Sequence, residues 1–310
     1  MERKILAAVD DSVFSFNALR YLGQLFTDLE DISVHLLYVL PNPPLPIGSE
    51  WVEEQDRLLS LSPAMRARYA AAKRFMEEAV LQLGRRGISP QQVSCNVQLS
   101  RAGVTADILY EAKRGLYDAL LIGRRGVGAI EAMIGGSVSS TAAEQCYEFP
   151  IWVVDGKVNA RKFLLPVDTS FNSLKAADHL GFILQGNPYA EIFLLHLSSL
   201  MGGNTEPDWP ELEALWGKDW CADHLSRPDS IFHAPEQTLL ERGIDEARIC
   251  RRQGGHCFAP HKTIFRQSIV ENCGTIVIGR RSKCKAKSFF HGVSDKVLDI
   301  ASHVAIWVVG

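Results

Sequence analysis

Two tandem α/β domains, each an open, doubly wound and mostly parallel sheet, are predicted by three observations. The chain repeats itself, its apolar runs alternate with helical patterns, and those runs are apolar throughout instead of alternating with polar residues. Continuous apolar strands belong to sheets covered by helices on both faces. Strand and helix in alternation give βαβ units and a parallel sheet.

The repeat comes first, because a missed duplication misassigns the whole fold. Ile5-Leu6-Ala7-Ala8-Val9-Asp10-Asp11-Ser12 is matched by Phe163-Leu164-Leu165-Pro166-Val167-Asp168-Thr169-Ser170. Ala119-Leu120-Leu121-Ile122-Gly123-Arg124-Arg125 is matched by Thr275-Ile276-Val277-Ile278-Gly279-Arg280-Arg281. Ile151-Trp152-Val153-Val154 is matched by Ile306-Trp307-Val308-Val309. The offsets are 158, 156 and 155 residues, so order and spacing are kept with small deletions. The boundary falls in the polar stretch Gly156-Lys157-Val158-Asn159, giving domains over 1–156 and 160–310.

In the first copy the pattern predicts strands at 3–10, 32–40, 92–99, 118–123 and 150–154. Helices are predicted at 13–27, 64–86, 104–115 and 137–147. Ser12 and Ser170 are good N-cap residues, so each repeat opens as strand, turn, helix. Val34 to Val39 (His35 apart) and Ala119 to Ile122 are the clearest apolar strands. In such sheets ligands bind at the carboxyl ends of strands where strand order reverses. Asp10 and Gly123 both stand at strand ends.

Composition bounds the function. The 310 residues are 46% hydrophobic and 22% charged, which suits a globular protein with real cores. A net charge of −3 offers no global attraction to nucleic acid or an anionic membrane. No stretch approaches the roughly 18 apolar residues of a membrane helix. The first residues enter a strand without the pattern of a signal peptide. Seven scattered cysteines suit reduced thiols, so a cytoplasmic protein is expected.

After the fourth strand the chain reads Gly123-Arg124-Arg125-Gly126-Val127-Gly128, then Ile134-Gly135-Gly136-Ser137-Val138-Ser139. Glycines let a backbone approach a ligand with no Cβ in the way. Gly135 and Gly136 lead into Ser137 at the start of the last helix, whose free N–H groups and dipole suit phosphate. Glycines after a strand also serve simply as turn residues, so the loop alone leaves both readings open.

The spacing Gly123-x2-Gly126-x9-Gly136-Ser137, set between these strands, closely resembles the ATP-binding branch of the universal stress protein family. The resemblance runs over essentially the whole chain, as a tandem protein of that family. It implies an adenine nucleotide alpha hydrolase-like, Rossmann-like fold and two copies packed as an intramolecular pseudo-dimer, with a further homodimer left open. It also implies ATP, with or without Mg²⁺, and an unidentified protein partner. Position by position, Val9 and Asp10 would meet the ribose or a phosphate-bound metal, and Val39 would offer backbone groups to the adenine edge. Gly123, Arg125 and Gly126 would line the phosphate turn, with Ile122 beside them in the site, and Gly136, Ser137, Val138 and Ser139 would cradle the outer phosphates. Asp10 also reads as a helix-capping carboxylate, and Arg124 and Arg125 as solvated loop charges.

The second copy departs from this pattern. Ser282 replaces the second glycine, and His291-Gly292 replaces the glycine pair. Counted from Gly279, Val293 falls at the phosphate-binding serine; counted back from Trp307, Gly292 does. Gly274 stands where Asp118 does, while Asp168 survives. Altered or absent ATP binding is expected there, and the cations Arg280, Arg281, Lys283, Lys285 and Lys287 read first as a solvated basic loop, with a different phosphorylated ligand or an acidic partner as the alternative. These cations lack the interleaved aromatics of a nucleic-acid platform.

Residues 199–262 are rich in Pro, Trp, His and Cys. Trp209, Leu212, Leu215, Trp216 and Trp220 read as a helical region packed on its domain. Cys250, His256, Cys257 and His261 match no tight zinc spacing, and Cys221 with His224 lacks a third orienting group. No catalytic residue and no metal site is therefore expected. The leading function is a regulatory ATP-binding protein. The competing classes are a slow ATP hydrolase or nucleotidyl-type enzyme, and a nucleotide-independent scaffold. The adjacent Gly, Lys and Ser/Thr of Walker-type phosphoryl transfer are missing.

Overall fold

The computed structural model describes residues 2–27, 29–41, 61–124, 149–199, 209–280 and 292–310. The chain divides into two compact units, Met1–Asp155 and Gly156–Gly310.

The first unit contains β1 (Arg3–Ala8), α1 (Val13–Leu25), β2 (Ile32–Leu40), α2 (Pro63–Gly84), β3 (Val93–Leu99), α3 (Val104–Arg114), β4 (Ala119–Gly123) and β5 (Ile151–Val154). Its strands lie in the order β3-β2-β1-β4-β5, all parallel. The apolar strands β4 and β5 are buried along their whole length. The mixed sequence Val-Ser-Cys-Asn-Val-Gln-Leu of β3 forms the edge and stays half open to solvent. Apolar residues at 18, 19, 22 and 25 give α1 a buried stripe. In α2 the stripe is Ala72, Phe75, Met76, Ala79 and Leu83, after an N-cap at Ser62 and a proline in the first turn. No capping side chain precedes α3. Its buried Asp107 instead accepts from Arg101 N–H at 2.7 Å, Ala102 N–H at 3.2 Å and the Ser100 hydroxyl at 2.9 Å. The acid fastens the entry loop and sits favourably in the first turn, while Lys113 and Arg114 complement the other end.

The second unit contains β6 (Lys162–Val167), α4 (Phe171–Leu184), β7 (Glu191–Ser199), α5 (Trp209–Trp216), α6 (Lys218–Leu225), α7 (Ser230–Glu241), β8 (Ile249–Cys257), α8 (Pro260–Val270), β9 (Thr275–Gly279), α9 (Val293–Ile300) and β10 (Ala305–Val309). Its order β10-β9-β6-β7-β8 repeats the first topology, again all parallel. Each unit is thus a doubly wound α/β sheet. The helix expected at 137–147 lies outside the described residues.

Three α-helices lie between β7 and β8 among the described residues of the second unit. Of these, α5 and α6 carry Leu212, Cys221 and Leu225, which join Ala234 of α7 and pack on Leu174 of α4. Phe171, Trp216 and Trp220 lean on that cluster, with Phe171 and Trp216 edge to face at 5.8 Å. Of the residues expected to pack, Leu212 is buried, but Leu215 is 55% exposed. Leu215 follows Leu212 by three residues and falls off the narrow buried edge of an eight-residue helix.

Candidate functional site

Strand order reverses between β1 and β4, so the crevice of the first unit opens at their carboxyl ends. The β1–β2 and β1–β4 ladders end at Ala8–Leu37 and Ala8–Ile122. Beyond that point β1 leaves the sheet through Val9 and Asp10 and turns into α1. The half-buried Asp10 is held from several directions. Its Oδ1 accepts from Ser12 N–H at 3.1 Å, the Ser12 hydroxyl at 2.5 Å and the Ser15 hydroxyl at 2.7 Å. Its own N–H donates to Ser15 Oγ at 2.8 Å. Ser12 Oγ in turn accepts from Ser15 N–H at 3.3 Å, the N-cap bond of α1. The cap of α1 is therefore Ser12, and Asp10 braces it from the end of β1. This brace engages one carboxylate oxygen and leaves Oδ2 with no protein hydrogen bond among the described residues.

The second unit repeats the device. Asp168 Oδ1 accepts from Ser170 N–H at 2.9 Å and the Ser170 hydroxyl at 2.5 Å, and Asp168 N–H donates to Ser173 Oγ at 3.1 Å. The Asp-x-Ser-x-x-Ser spacing in both copies is thus first a helix-starting unit.

Val9 is buried and donates its N–H to Leu37 O at 2.9 Å. On β2, Leu40 O accepts from Ser100 N–H on the β3 side. Backbone groups alternate in direction along a strand. Val39 therefore turns its peptide groups to the β1 side, one step past the last ladder pair, where β1 has already left. Ile122 is fully buried. Tyr38, next to Val39, is also buried; burial pushes its phenol pKa up, and the Asp11 and Asp10 carboxylates add to the effect.

Gly123 has a cause that lies in packing. A Cβ there would stand 2.8 Å from both C and O of Phe14, in the first turn of α1. Gly279 has the same relation to Asn172, at 2.2 Å from O and 2.5 Å from C. This glycine lets the helix start approach the strand end. The expectation of solvated arginines is corrected at two positions. Arg124 is largely buried and lies 3.5 Å from Asp155, and Arg280 is buried and lies 2.8 Å from Asp295. Both follow a strand and donate their N–H to the neighbouring strand, at Val154 O and Val309 O. Backbone pairing directs their side chains inward. Arg125, Gly126, Gly136, Ser137, Val138 and Ser139 lie outside the described residues, as do Arg281, Lys283, Lys285 and Lys287.

Asp118 accepts from Lys4 N–H at 2.7 Å and so ties β4 to β1; burial raises its pKa, with Lys4 opposing. At the matching position, a Cβ on Gly274 would stand 1.8 Å from Asn159 O, so a carbonyl closes the space. Cys221 is buried in its apolar cluster, and burial raises its thiol pKa. His224 instead shares a 2.9 Å contact with His233, a pairing that sequence spacing did not suggest. Among the described residues, no three His, Cys, Asp or Glu stand together as a metal site. No described helix is long and apolar enough to cross a membrane.

A doubly wound sheet with an acid after its first strand and a glycine closing its fourth defines an α/β protein with a crevice at its switch point. The chain belongs to the universal stress protein family, whose family model matches residues 1–155. The fold is shared with a universal stress protein from Archaeoglobus fulgidus DSM 4304 at 18% identity and a TM-score of 0.60, over 99% of this chain and 95% of that one. It is also shared with a functionally unknown protein from Pseudomonas aeruginosa PAO1, at 13% identity and a TM-score of 0.52, over 99% and 92% of the chains. No curated protein matches the chain in sequence.

Proposed function

We propose that the first unit holds one ATP at its switch point as a structural or signalling ligand in a regulatory protein of the cytoplasm. The observation that carries this reading is the pairing of Asp10, with Oδ2 open, and the open-sided peptide of Val39 at the ends of two adjacent strands. A fixed carboxylate oxygen accepts from ribose hydroxyls or binds Mg²⁺, and a peptide with both donor and acceptor suits an adenine edge. Val9, Ile122 and Gly123 shape the floor. Arg125, Gly126, Gly136, Ser137, Val138 and Ser139 supply the phosphate cradle on the strength of their spacing. We take the two compact units as the two domains, paired as a pseudo-dimer in which the second contributes no ATP site.

Asp10 serves this ligand as an anchored acceptor, because its Oδ1 is spent on the start of α1. ATP is accordingly held and its occupancy read by a partner, with hydrolysis no part of the role. Acid extraction of the purified protein, followed by nucleotide identification, is expected to give one ATP per chain. Two would remove the asymmetry, and none would remove the reading. Replacing Gly126 with Leu is expected to abolish ATP uptake, and phosphate release over hours is expected to stay at background.

A further inference from the structure

Resting on the reading of the first unit as the ATP site, we propose that the second unit carries its own anion. The Asp295 carboxylate stands at the start of α9 where a phosphate would otherwise lie, and excludes phosphorylated ligands from Arg280. Asp295 is the third residue of α9, and its Oδ2 accepts from Gly292 N–H at 3.1 Å. Its Oδ1 lies 2.8 Å from the Arg280 guanidinium, with side chains only 13% and 8% exposed. A helix start and an arginine are what recognise a phosphate, and a carboxylate satisfies both.

Comparison of the copies shows what changed. Counted from Gly279, Asp295 matches Ser139 of the proposed phosphate cradle, and counted back from Trp307 it matches Ser140; both are uncharged. By the offset that relates Trp152 to Trp307, the residue matching Asp155 is Gly310. In the first unit Arg124 takes its counter-charge from Asp155, just beyond β5. In the second that carboxylate is gone, and the counter-charge of Arg280 comes from the last helix. Losing Asp155 and gaining Asp295 is one coupled exchange: it keeps a buried arginine neutralised and spends the helix start on it.

The test is calorimetric titration of the full chain with inorganic pyrophosphate. Asp295→Ser is expected to take up one equivalent more than the wild type, while Asp295→Glu, which keeps the charge, takes up no more. Equal uptake by Asp295→Ser and the wild type overturns the proposal. The wild-type count reports on the first unit and the difference between counts on the second, so the two readings fail separately. Should Asp295→Ser not fold, Asp295→Asn keeps the Gly292 hydrogen bond and removes the charge. Its melting temperature is expected to fall in chloride and to recover in pyrophosphate at matched ionic strength. A loss that pyrophosphate does not reverse also overturns the proposal.

Discussion

Asp10 and Ser15 exchange hydrogen bonds across the first turn of α1: the Asp10 N–H donates to Ser15 Oγ at 2.8 Å, and that hydroxyl donates to Asp10 Oδ1 at 2.7 Å. The acid proposed to meet the ligand is thus clamped by the helix that follows it. Ser15 is buried, so removing its hydroxyl strands the Asp10 N–H. Ser15→Ala is expected to cost about 1–2 kcal/mol in urea unfolding and to weaken ATP binding. Asp10→Asn retains an accepting oxygen for α1, so it is expected to keep most of the stability and lose affinity. Equal losses of stability from both would show that the charge itself holds the turn.

The paired glycines give a second prediction. Gly123→Ala and Gly279→Ala each push a methyl into the backbone of a helix start, at 2.8 Å and 2.2 Å. Overpacking of this kind costs about 1–3 kcal/mol. Denaturant midpoints are expected to fall for both, and further for Gly279→Ala, since its obstacle is a closer carbonyl oxygen. A neutral effect at both sites would mean that α1 and α4 shift freely.

A third prediction concerns pH. His179 is buried in α4 with its ring 5.8 Å from that of Trp307. Burial pulls its pKa down to about 3, and Lys175 one turn earlier adds to the effect. The unfolded histidine takes its proton near 6.5. Between these values the unfolded chain binds more protons, so stability falls as pH drops from 6.5 toward 3, by at most about 1.4 kcal/mol per unit. His35, held low by burial against an opposing Glu111, acts in the same direction. Urea midpoints between pH 7 and 5 are expected to decline, and His179→Gln to flatten the decline.

Thiol accessibility gives the fourth. Cys95 on the edge strand β3 is exposed, whereas Cys221 and Cys273 are buried. Desolvation raises the thiol pKa of all three, that of Cys273 to about 12, so exposure sets the order. Native-state alkylation at pH 8, read by peptide mass, is expected to modify Cys95 well ahead of the other two. Reaction of Cys221 at the rate of Cys95 would mean that α6 opens readily from α4.

The element order was legible because it rests on local signals. Apolar runs mark β1, β2, β4 and β5, serines open α1 and α4, and the repeat supplied the second unit from the first. The boundaries moved by no more than two residues in the described segments: β1 ends at Ala8 instead of 10, and α1 at Leu25 instead of 27. Asp10 and Gly123 were recognised by their place at strand ends. Their hydrogen bonds and packing were not, since Ser15 and Phe14 approach them only once the chain has turned.

What the sequence by itself determined is the duplicated α/β plan, the family, and the strand ends at which a ligand site is proposed. The plan and the strand ends follow from periodicity and spacing along the chain, and the family from the resemblance of its glycine spacing to that family's pattern. Only the tertiary structure decided that Asp10 commits one carboxylate oxygen to the start of α1, and that Gly123 yields to a helix backbone. It alone decided that Arg124 answers to Asp155 while Arg280 answers to Asp295. Those relations join groups 31 residues apart in Arg124 and Asp155 and 109 apart in Gly123 and Phe14. A buried charge takes whichever counter-charge the fold brings near, and spacing along the chain does not record that choice.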